Sequence, residues 1–343
     1  MFRVGLVGYG YSGRTFHAPL IDSVDGLTLA AVVSSNRDKV HHDRPGCPVL
    51  SLAELTADPA IEVVVIATPN ETHAPIARAL LNAGKHVVVD KPFTTSVVEA
   101  DELAAIAARQ RRILTVFHNR RWDGDFLTIR SLVADRTLGD IVEYESRAER
   151  YRPIVRDRWR ERPGPGSGIW FDFGAHLVDQ ALQLFGQPDA IRADLAAQRG
   201  HGAIDFFHVV LRYETLRVVL RGSSLAVAGG PRFQIFGTAG SYVKFGWDTQ
   251  EEALKKGERP GESLPWGQDP QSGMLAQPDG DGIKTIEVPN LPGDYRRFYE
   301  QLREALLTGT APPVTIDETR NVMRLLEAGI ASSASRCDVS LAR

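Results

Sequence analysis

The chain has 343 residues, of which 43% are hydrophobic and 24% charged, a composition typical of a soluble globular protein with about two domains. Its 40 basic and 43 acidic side chains give a formal charge of −3 at pH 7, which excludes a domain-wide basic surface for nucleic acid. Cys47 and Cys337 are too few and too far apart for a disulfide framework or a thiolate metal site. With no visible signal peptide or membrane span, we expect a cytoplasmic protein without nucleic-acid or membrane partners.

Short apolar runs alternate with helix-like stretches over the first third of the chain. The runs, rich in Val, Ile and Leu, are predicted strands buried on both faces: Val4–Val7, Leu27–Val33, Val63–Ala67, His86–Val89 and Ile113–Phe117. Helices are predicted over Thr72–Ala83, ended by Gly84, and over Ser96–Ala108, which starts with a serine cap. Such repeated units predict an α/β domain with a parallel sheet, which we place at residues 1–120.

Beyond about Trp122 the strands lengthen and alternate polar with apolar residues, which is typical of an antiparallel sheet. The predicted strands are Ile141–Arg150, Phe206–Tyr213, Arg217–Arg221, Phe233–Phe236 and Tyr242–Phe245. A helix is predicted over Phe173–Phe185, and exposed loops over Arg162–Gly168 and Gly257–Gly282. These elements predict a second, α+β domain at residues 121–343.

The first strand runs into a glycine-rich turn, Gly8-Tyr9-Gly10-Tyr11-Ser12-Gly13, followed by residues of helical character. Strand, glycine turn and helix in this order place a pyrophosphate on a helix N-terminus. The first glycine permits the tight turn, the second lets the backbone approach the phosphates and the third lets the helix lie close to the strand. We therefore predict dinucleotide binding by Gly8, Gly10, Tyr11, Ser12 and Gly13. A merely structural glycine turn is the alternative.

The end of the second strand bears on the choice between NAD and NADP. NAD-binding domains carry Asp or Glu about 20 residues past the glycines, where it bonds the ribose hydroxyls. Here the chain reads Val33-Ser34-Ser35-Asn36-Arg37, with no carboxylate before Asp38. Hydroxyls and a guanidinium suit a ribose 2′-phosphate, so Ser34, Ser35 and Arg37 favour NADP over NAD. Alternatively, the serines only cap the next helix and the arginine is solvated.

Six sequence motifs follow one another along nearly the whole chain. They are Val4-Gly5-Leu6-Val7-Gly8-Tyr9-Gly10, Thr15-Phe16-His17-Ala18-Pro19-Leu20, Ala67-Thr68-Pro69-Asn70-Glu71-Thr72-His73, Val89-Asp90-Lys91-Pro92-Phe93, Phe117-His118-Asn119-Arg120-Arg121-Trp122 and Gly166-Ser167-Gly168-Ile169-Trp170-Phe171-Asp172-Phe173-Gly174-Ala175-His176. Together they resemble the Gfo/Idh/MocA oxidoreductases, and within them the NADP-dependent scyllo-inositol dehydrogenase-like branch. The resemblance implies a Rossmann domain followed by a domain with an open, mostly antiparallel sheet. It also implies a homodimer or homotetramer built through that sheet, with the substrate between the domains.

By motif match, the resemblance implies that Lys91, Asp172 and His176 are catalytic and contact the substrate. The family usually has Glu before its Lys-Pro, whereas Asp90 stands here, which leaves the contacts of that position open. Oxidation of a secondary alcohol needs a base at the hydroxyl, and an imidazole or a lysine amine suits that task. The sequence leaves open which of the two is the base.

The spacing between Asp172 and His176 is informative. Asp172 precedes His176 by four residues, so both project from one face if both are helical. In that case the carboxylate orients the imidazole or bonds a neighbouring substrate hydroxyl. The alternatives are a helix N-cap for the aspartate and a satisfied helix-face histidine.

Further candidates follow other strands, at the edge where parallel sheets of this type bind ligands. The predicted cofactor contacts there are Thr68, Pro69, Asn70, His73, Lys91, Pro92, Asn119 and Arg120. Asn119 and Trp159 are also predicted substrate contacts, and the alternative for the 119–120 pair is a salt-bridged interdomain hinge.

The sequence thus predicts an NADP(H)-dependent enzyme that interconverts a secondary alcohol of a cyclic polyol or sugar, inositol-like, and its ketone. One alternative is a glycoside hydrolase that works through transient oxidation by tightly bound NAD. Another is a non-catalytic NADP sensor. No metal site is predicted, because the histidines lack a helical pair with a carboxylate at ligand spacing.

Overall fold

The computed structural model describes residues 1–262 and 265–341, and its contacts group the chain into two units. The first unit contains Met1–Trp122, Gln250–Trp266 and Asp294–Arg320. The second contains the intervening segments and the chain from Asn321 onward. The division into domains 1–120 and 121–343 stays a prediction, and each unit is described by itself.

The first unit is built on a parallel sheet. Its strands are β1 (Phe2–Val7), β2 (Leu27–Val33), β3 (Val49–Leu50), β4 (Val63–Ile66), β5 (His86–Val89) and β6 (Leu114–Val116). Among the described residues they form a six-stranded sheet in the order β3-β2-β1-β4-β5-β6, with every neighbouring pair parallel. The central strand β4 is buried at all four positions, as its unbroken Val and Ile run predicts. The predicted Rossmann fold is confirmed, and the carboxyl ends of its strands share one edge.

Ten α-helices lie in the described part of the chain. They are α1 (Ala18–Asp22), α2 (Arg37–Asp43), α3 (Leu52–Ala57), α4 (His73–Asn82), α5 (Val97–Gln110), α6 (Gly124–Ala134), α7 (Ala175–Phe185), α8 (Gln250–Lys255), α9 (Arg296–Thr308) and α10 (Ile316–Ser335). The predicted cap of α5 is confirmed, because Ser96 Oγ accepts the Glu99 N–H at 3.3 Å. No helix among the described residues is long and apolar enough to cross a membrane.

An aromatic cluster joins the far end of the chain to the first unit. Phe298 and Tyr299 of α9 pack on Phe117, which follows β6, with ring centroids 5.0 and 5.9 Å apart. All three rings are buried. The Phe117–Phe298 pair is edge-to-face and the Phe117–Tyr299 pair is tilted, and aromatic packing of this kind stabilises a core beyond the area it buries. Residues near 300 therefore complete the hydrophobic core of the sheet that residues 2–116 form.

The second unit is built on a mixed sheet. Its strands are β7 (Ile141–Glu149), β8 (Ala190–Ala196), β9 (Phe206–Arg212), β10 (Arg217–Ser223), β11 (Phe233–Gly237), β12 (Gly240–Lys244), β13 (Gly273–Asp279), β14 (Gly282–Val288) and β15 (Val339–Ser340). In the described residues nine strands follow the order β14-β13-β12-β11-β7-β10-β9-β8-β15. The β7–β10 pair is parallel and the other neighbours are antiparallel. The predicted open, mostly antiparallel sheet is confirmed.

One loop prediction is wrong. The stretch Gly257–Gly282 is not loop throughout, because Gly273–Asp279 forms β13 and pairs in register with β14. These strands carry little apolar patterning because β14 is largely exposed. The turn between them is a two-residue hairpin loop of Gly280 and Asp281, whose Gly/Asp composition is a hairpin signal. Ser263 and Leu264 lie outside the described residues.

Candidate active site

The glycine turn after β1 has the geometry that a bound pyrophosphate requires. Gly8 has φ +101°, and a Cβ there would lie 2.4 Å from the Ala67 carbonyl oxygen. A Cβ at Gly13 would lie 2.0 Å from the Gly8 carbonyl oxygen. A Cβ at Gly10 would meet no atom of the described chain within 4 Å. The first and third glycines are thus required by packing within the protein, whereas the second faces open space, which fits a dinucleotide.

The end of β2 turns into α2 through side-chain hydrogen bonds. Asn36 Oδ1 accepts the Lys39 N–H at 2.9 Å and caps α2. Ser34 Oγ accepts the Asn36 N–H at 3.1 Å. The alternative in which the serines cap this helix is therefore wrong. Ser35 and Arg37 are exposed beside this turn, so the side chains predicted to contact a 2′-phosphate are accessible.

Lys39 is a cation that the sequence analysis missed. Its Nζ donates to the Tyr9 carbonyl oxygen at 3.3 Å, so the ammonium group lies against the glycine turn. Nothing in the local pattern distinguishes it from a solvated helix lysine, because its position depends on how α2 packs. Arg14, by contrast, pairs with Asp43 at 2.6 Å.

Lys91 follows β5 at the carboxyl edge of the sheet, and Asp90 holds its backbone. The Asp90 carboxylate accepts the Lys91 N–H at 2.8 Å, and its other oxygen lies 3.8 Å from His17 Nε2. His17 Nδ1 lies 2.6 Å from the Tyr299 hydroxyl, which completes a buried row of polar groups. Burial raises the pKa of Asp90. His17, the Lys91 charge and a hydrogen bond from Ser12 lower it by more than burial raises it, so the pKa lies below its ordinary value.

The shorter carboxylate at position 90 therefore has defined contacts. His17 and Tyr299 were not assigned a role from the sequence. His17 lies in a quoted motif, but Tyr299 is 282 residues away from it in the chain.

His73 joins the loops that follow β4 and β5. Its Nε2 lies 2.9 Å from the Thr68 carbonyl oxygen, and its Nδ1 lies 3.0 Å from the Pro92 carbonyl oxygen. Burial lowers the pKa of His73, although Asp90 and the carbonyl groups oppose this. Asn70 is buried beside the same loop. These contacts give His73 a role in positioning the loops, and its direct contact with a cofactor stays a prediction.

Tyr11 of the glycine turn is tied to α8. Its hydroxyl donates to Glu251 Oε1 at 2.7 Å, and Arg120 pairs with Glu251 Oε2 at 2.8 Å. All three residues belong to the first unit. Burial raises the pKa of Glu251, but Arg120, Tyr11 and Lys255 lower it more, so the carboxylate is held ionised. Arg120 and its neighbour Asn119 are both buried, and Arg120 is salt-bridged to Glu251.

In the second unit, Asp172 lies in a π-helical turn, Trp170–Gly174, that continues into α7. The N-cap of this turn is Ile169, so the N-cap alternative for Asp172 is wrong. Single π-turns are frequent at functional sites. A π-turn also changes the angle about the helix axis between side chains four residues apart. Asp172 lies in the π-turn and His176 in the α-helix, so the expectation that both project from one regular helical face does not apply to them directly. His176, in the first turn of α7, is 5% exposed.

Trp170 anchors this turn. Its side chain is fully buried, its Nε1 donates to the Leu326 carbonyl oxygen at 3.0 Å, and its ring packs on Phe207 at 5.2 Å. A bulky ring held on two sides fixes the helix rotation, which sets the directions of the residues that follow it. The sequence motif around Asp172 thus has a packing explanation as well as a chemical one.

A pocket beside Asp172 is rich in arginine. Its charged lining residues, within the described chain, are Arg150, Arg158, Arg160, Glu161, Asp172 and Arg199. Arg160 Nε lies 3.9 Å from Asp172 Oδ1. Trp159, predicted to contact substrate, stacks under the Arg160 guanidinium at 4.4 Å. We refer to these six charged residues as the arginine pocket.

Each unit thus brings together part of the predicted site. In the first unit, the glycine turn, the end of β2 and the loops after β4, β5 and β6 belong to one sheet. In the second unit, Trp159 stacks on Arg160, which lies 3.9 Å from Asp172, and His176 follows Asp172 by four residues.

Comparison with known proteins agrees with this architecture. Residues 2–118 match the family model for the NAD-binding Rossmann fold of the Gfo/Idh/MocA oxidoreductase family. Residues 130–341 match the model for the C-terminal alpha/beta domain of the same family.

Relatives of similar length support the match. The chain is 48% identical to the oxidoreductase YdgJ of Escherichia coli, with 99% of both chains covered. It is 41% identical to scyllo-inositol 2-dehydrogenase (NADP(+)) IolW of Bacillus subtilis, covering 99% of this chain and 96% of the relative. The solved structure of the putative oxidoreductase yvaA from Bacillus subtilis superposes with a TM-score of 0.96 at 41% identity, covering 99% and 98% of the two chains. The prediction of a nicotinamide-dependent dehydrogenase is confirmed, and the chain belongs to the Gfo/Idh/MocA oxidoreductase family.

Proposed function

We propose that the protein interconverts a secondary alcohol of a cyclic polyol or sugar and the corresponding ketone, with NADP(H) as coenzyme. The observation that carries the proposal is the position of Lys91. It lies at the carboxyl edge of the Rossmann sheet, and the buried Asp90 carboxylate accepts its backbone N–H. The IolW relative, named as an inositol dehydrogenase, supports the substrate class.

The preference for NADP rests on the end of β2. Ser34, Ser35 and Arg37 supply hydroxyls and a guanidinium where an NAD-binding domain carries a carboxylate. Lys39, with its ammonium group against the glycine turn, adds a second cation. A ribose 2′-phosphate carries charge that such groups bind and that a carboxylate would repel. The further proposed cofactor contacts are Gly8, Gly10, Tyr11, Ser12, Gly13, Thr68, Pro69, Asn70, His73, Lys91, Pro92, Asn119 and Arg120.

The proposed chemistry divides into a hydride and a proton. NADP+ accepts a hydride from the carbinol carbon when it is bound. The hydroxyl proton leaves to a base, for which Lys91 and His176 are the two candidates, and the Lys91 ammonium stabilises negative charge on the oxygen. Asp172, Asn119 and Trp159 are proposed to contact the substrate. An aspartate next to two arginines is suited to accept a hydrogen bond from a sugar hydroxyl.

We also propose a homodimer or homotetramer that forms through the sheet of the second unit, as the family resemblance implies. Light scattering coupled to gel filtration tests this directly. A monomeric mass at micromolar concentration would contradict it.

Absorbance at 340 nm tests the function. The purified protein is mixed with NADP+ or NAD+ and a panel of myo-inositol, scyllo-inositol and aldoses, and NADPH formation is followed. We expect stoichiometric reduction of NADP+ by at least one polyol, with a lower rate with NAD+. In a parallel assay with a chromogenic glycoside, cleavage without NADPH formation would instead indicate redox-assisted hydrolysis. Coenzyme binding without turnover of any compound would indicate a sensor.

A further inference from the structure

The arginine pocket of the second unit contains more positive than negative charge. Four of its charged lining residues are arginines and two are carboxylates, counted over the residues the structure describes. Arg199 pairs with Glu161 at 3.1 Å and with Asp205 at 2.9 Å, and Arg158 pairs with Glu161 at 2.6 Å. Arg158 and Arg199 are therefore both paired with carboxylates, namely Glu161 and, outside the pocket lining, Asp205. The Asp172 carboxylate lies 3.9 Å from Arg160 Nε, and its charge also acts on Arg150.

Arg150, which lines the pocket, has one side-chain donor without a partner in the described protein. Its Nε is buried and has no hydrogen-bond acceptor within residues 1–262 and 265–341. Its guanidinium stacks on the Phe173 ring with Cζ 4.7 Å from the centroid. Stacking satisfies the face of a guanidinium but not its five in-plane N–H donors. A buried donor without an acceptor costs free energy unless a ligand supplies one.

The surroundings of Arg150 disfavour its charge in the ligand-free protein. Burial lowers the pKa of Arg150 to about 10; the charge of Asp172 opposes this, whereas Arg152 and Arg158 lower the pKa further. An anion in the pocket would reverse these effects, because it would supply both an acceptor and a negative charge. A planar guanidinium pairs bidentately with a carboxylate or a phosphate, which gives the contact direction as well as strength.

We propose that the substrate carries an anionic group, a carboxylate or a phosphate ester, which Arg150 and Arg160 bind beside Asp172. This inference rests on the proposed function, because it narrows the polyol or sugar substrate to an acidic one. The sugar ring would then extend from the anionic group towards Asp172, whose carboxylate can accept from its hydroxyls. Neutral polyols would be bound more weakly, since they leave the Arg150 donors without a charged acceptor.

Matched ligands separate charge from shape. D-glucuronate and D-glucuronamide differ in one carboxylate, and D-glucose 6-phosphate and D-glucose differ in one phosphate ester. Calorimetric titration of each into the full-length protein, saturated with NADPH so that the coenzyme site is occupied and the ligand is not oxidised, gives the four affinities. We expect one anionic compound to bind at least about tenfold more tightly than its neutral counterpart. The pair that shows the difference identifies a carboxylate or a phosphate as the recognised group.

Two arginine variants locate the contact. Arg150→Gln should reduce the preference for the anion, taken as the ratio of the two affinities within a pair, to less than about threefold. Arg162→Gln is the matched control, because Arg162 is exposed in the same segment and pairs with Asp157 at 2.6 Å. It should keep the full preference. Equal affinities within both ligand pairs, or an undiminished preference in Arg150→Gln, would overturn the inference.

The same ligands, mixed with the protein and NADP+ and followed at 340 nm, distinguish this inference from the proposed function. Reduction of NADP+ by neutral polyols without any anion preference would leave the function standing and the inference wrong. Anion preference that depends on Arg150, without any NADPH formation, would support the pocket and contradict the dehydrogenase proposal.

Discussion

Two buried aspartates, Asp90 in the first unit and Asp125 in the second, have pKa values shifted in opposite directions. Burial raises the pKa of both. At Asp90, the contacts with His17 and the Lys91 charge outweigh burial, and the net pKa is lowered. At Asp125, the charge of Asp123 adds to burial, and the pKa rises to about 6 despite the opposing charges of Arg232 and Lys244. The partners that surround a buried carboxylate, rather than burial itself, decide its charge.

The same contrast separates the two candidate sites. Near the glycine turn, the ionised Glu251 carboxylate has Arg120 and Tyr11 as partners within the first unit. In the arginine pocket, a buried guanidinium nitrogen has no acceptor in the described chain. The Glu251 carboxylate is therefore held by partners within its own unit, whereas the proposed anion would supply the acceptor that Arg150 Nε lacks in the described chain.

Replacing the lysine of the first site has the largest expected effect. We expect Lys91→Met to lower kcat/KM by about 10³-fold, because it removes the cation proposed to stabilise the reacting oxygen and one of the two candidate bases. The dissociation constant of NADPH, measured by its fluorescence, should change far less than kcat/KM, because Lys91 is only one of the proposed cofactor contacts. Lys85→Met is the matched control, because Lys85 precedes β5 at the opposite edge, where its Nζ donates to the Ile61 carbonyl oxygen at 2.8 Å. If both variants keep normal turnover, Lys91 has no catalytic role.

Neutralising Asp90 should destabilise the protein. We expect Asp90→Asn to lower the free energy of unfolding by about 3 kcal/mol at pH 7, since it leaves His17 and Lys91 beside a group without charge. The pKa of Asp90 is lowered in the folded state, so its ionised form stabilises the fold above the unfolded pKa near 3.8. That stabilisation is lost as the pH falls through the lower folded value. Urea unfolding at pH 7 and pH 3.5 should therefore show a smaller difference from wild type at the acidic pH.

Neutralising Asp125 should have the opposite effect on the free energy of unfolding. Its folded pKa of about 6 lies above its unfolded value, so its contribution to stability is present below pH 3.8 and is lost as the pH rises through 6. We expect Asp125→Asn to raise the free energy of unfolding at pH 8 by about 2 kcal/mol, and to have little effect at pH 4. Its Oδ1 can still accept the Phe126 N–H. Asp140→Asn, at an exposed position, is the control for both aspartate variants. A loss of stability in Asp125→Asn at pH 8 would show that the carboxylate is ionised and well paired.

Features that depend on neighbouring residues could be predicted from the sequence. The buried strands of the parallel sheet appear as unbroken apolar runs such as Val63–Ile66, and the glycine turn has a local spacing that sterics explains. Ser96 was identifiable as a cap from its spacing to Glu99. In each case the determining contacts lie within a few residues of each other.

Features that depend on distant residues could not be predicted in this way. Glu251 pairs with Arg120 across 131 positions, and the charged sequence of α8 is also typical of a solvated helix. Tyr299 reaches His17 across 282 positions. The π-helical turn at Asp172 depends on where Trp170 packs, which its own sequence does not reveal. The missing acceptor of Arg150 is likewise a property of the folded second unit.

The smallest expected effects are those of the two cations near the end of β2, Arg37 and Lys39, on coenzyme binding. Arg37→Ala and Lys39→Ala should each raise the dissociation constant of NADPH by about tenfold, because each removes one charge-assisted contact with a 2′-phosphate. The dissociation constant of NADH should stay within about twofold, since NADH lacks that phosphate. Arg14→Ala is the control, because Asp43 already holds the Arg14 guanidinium at 2.6 Å. Fluorescence titration of both coenzymes gives all values. Equal losses for NADPH and NADH would mean that these cations bind a group common to both, and that the absent acid after β2 does not select NADP.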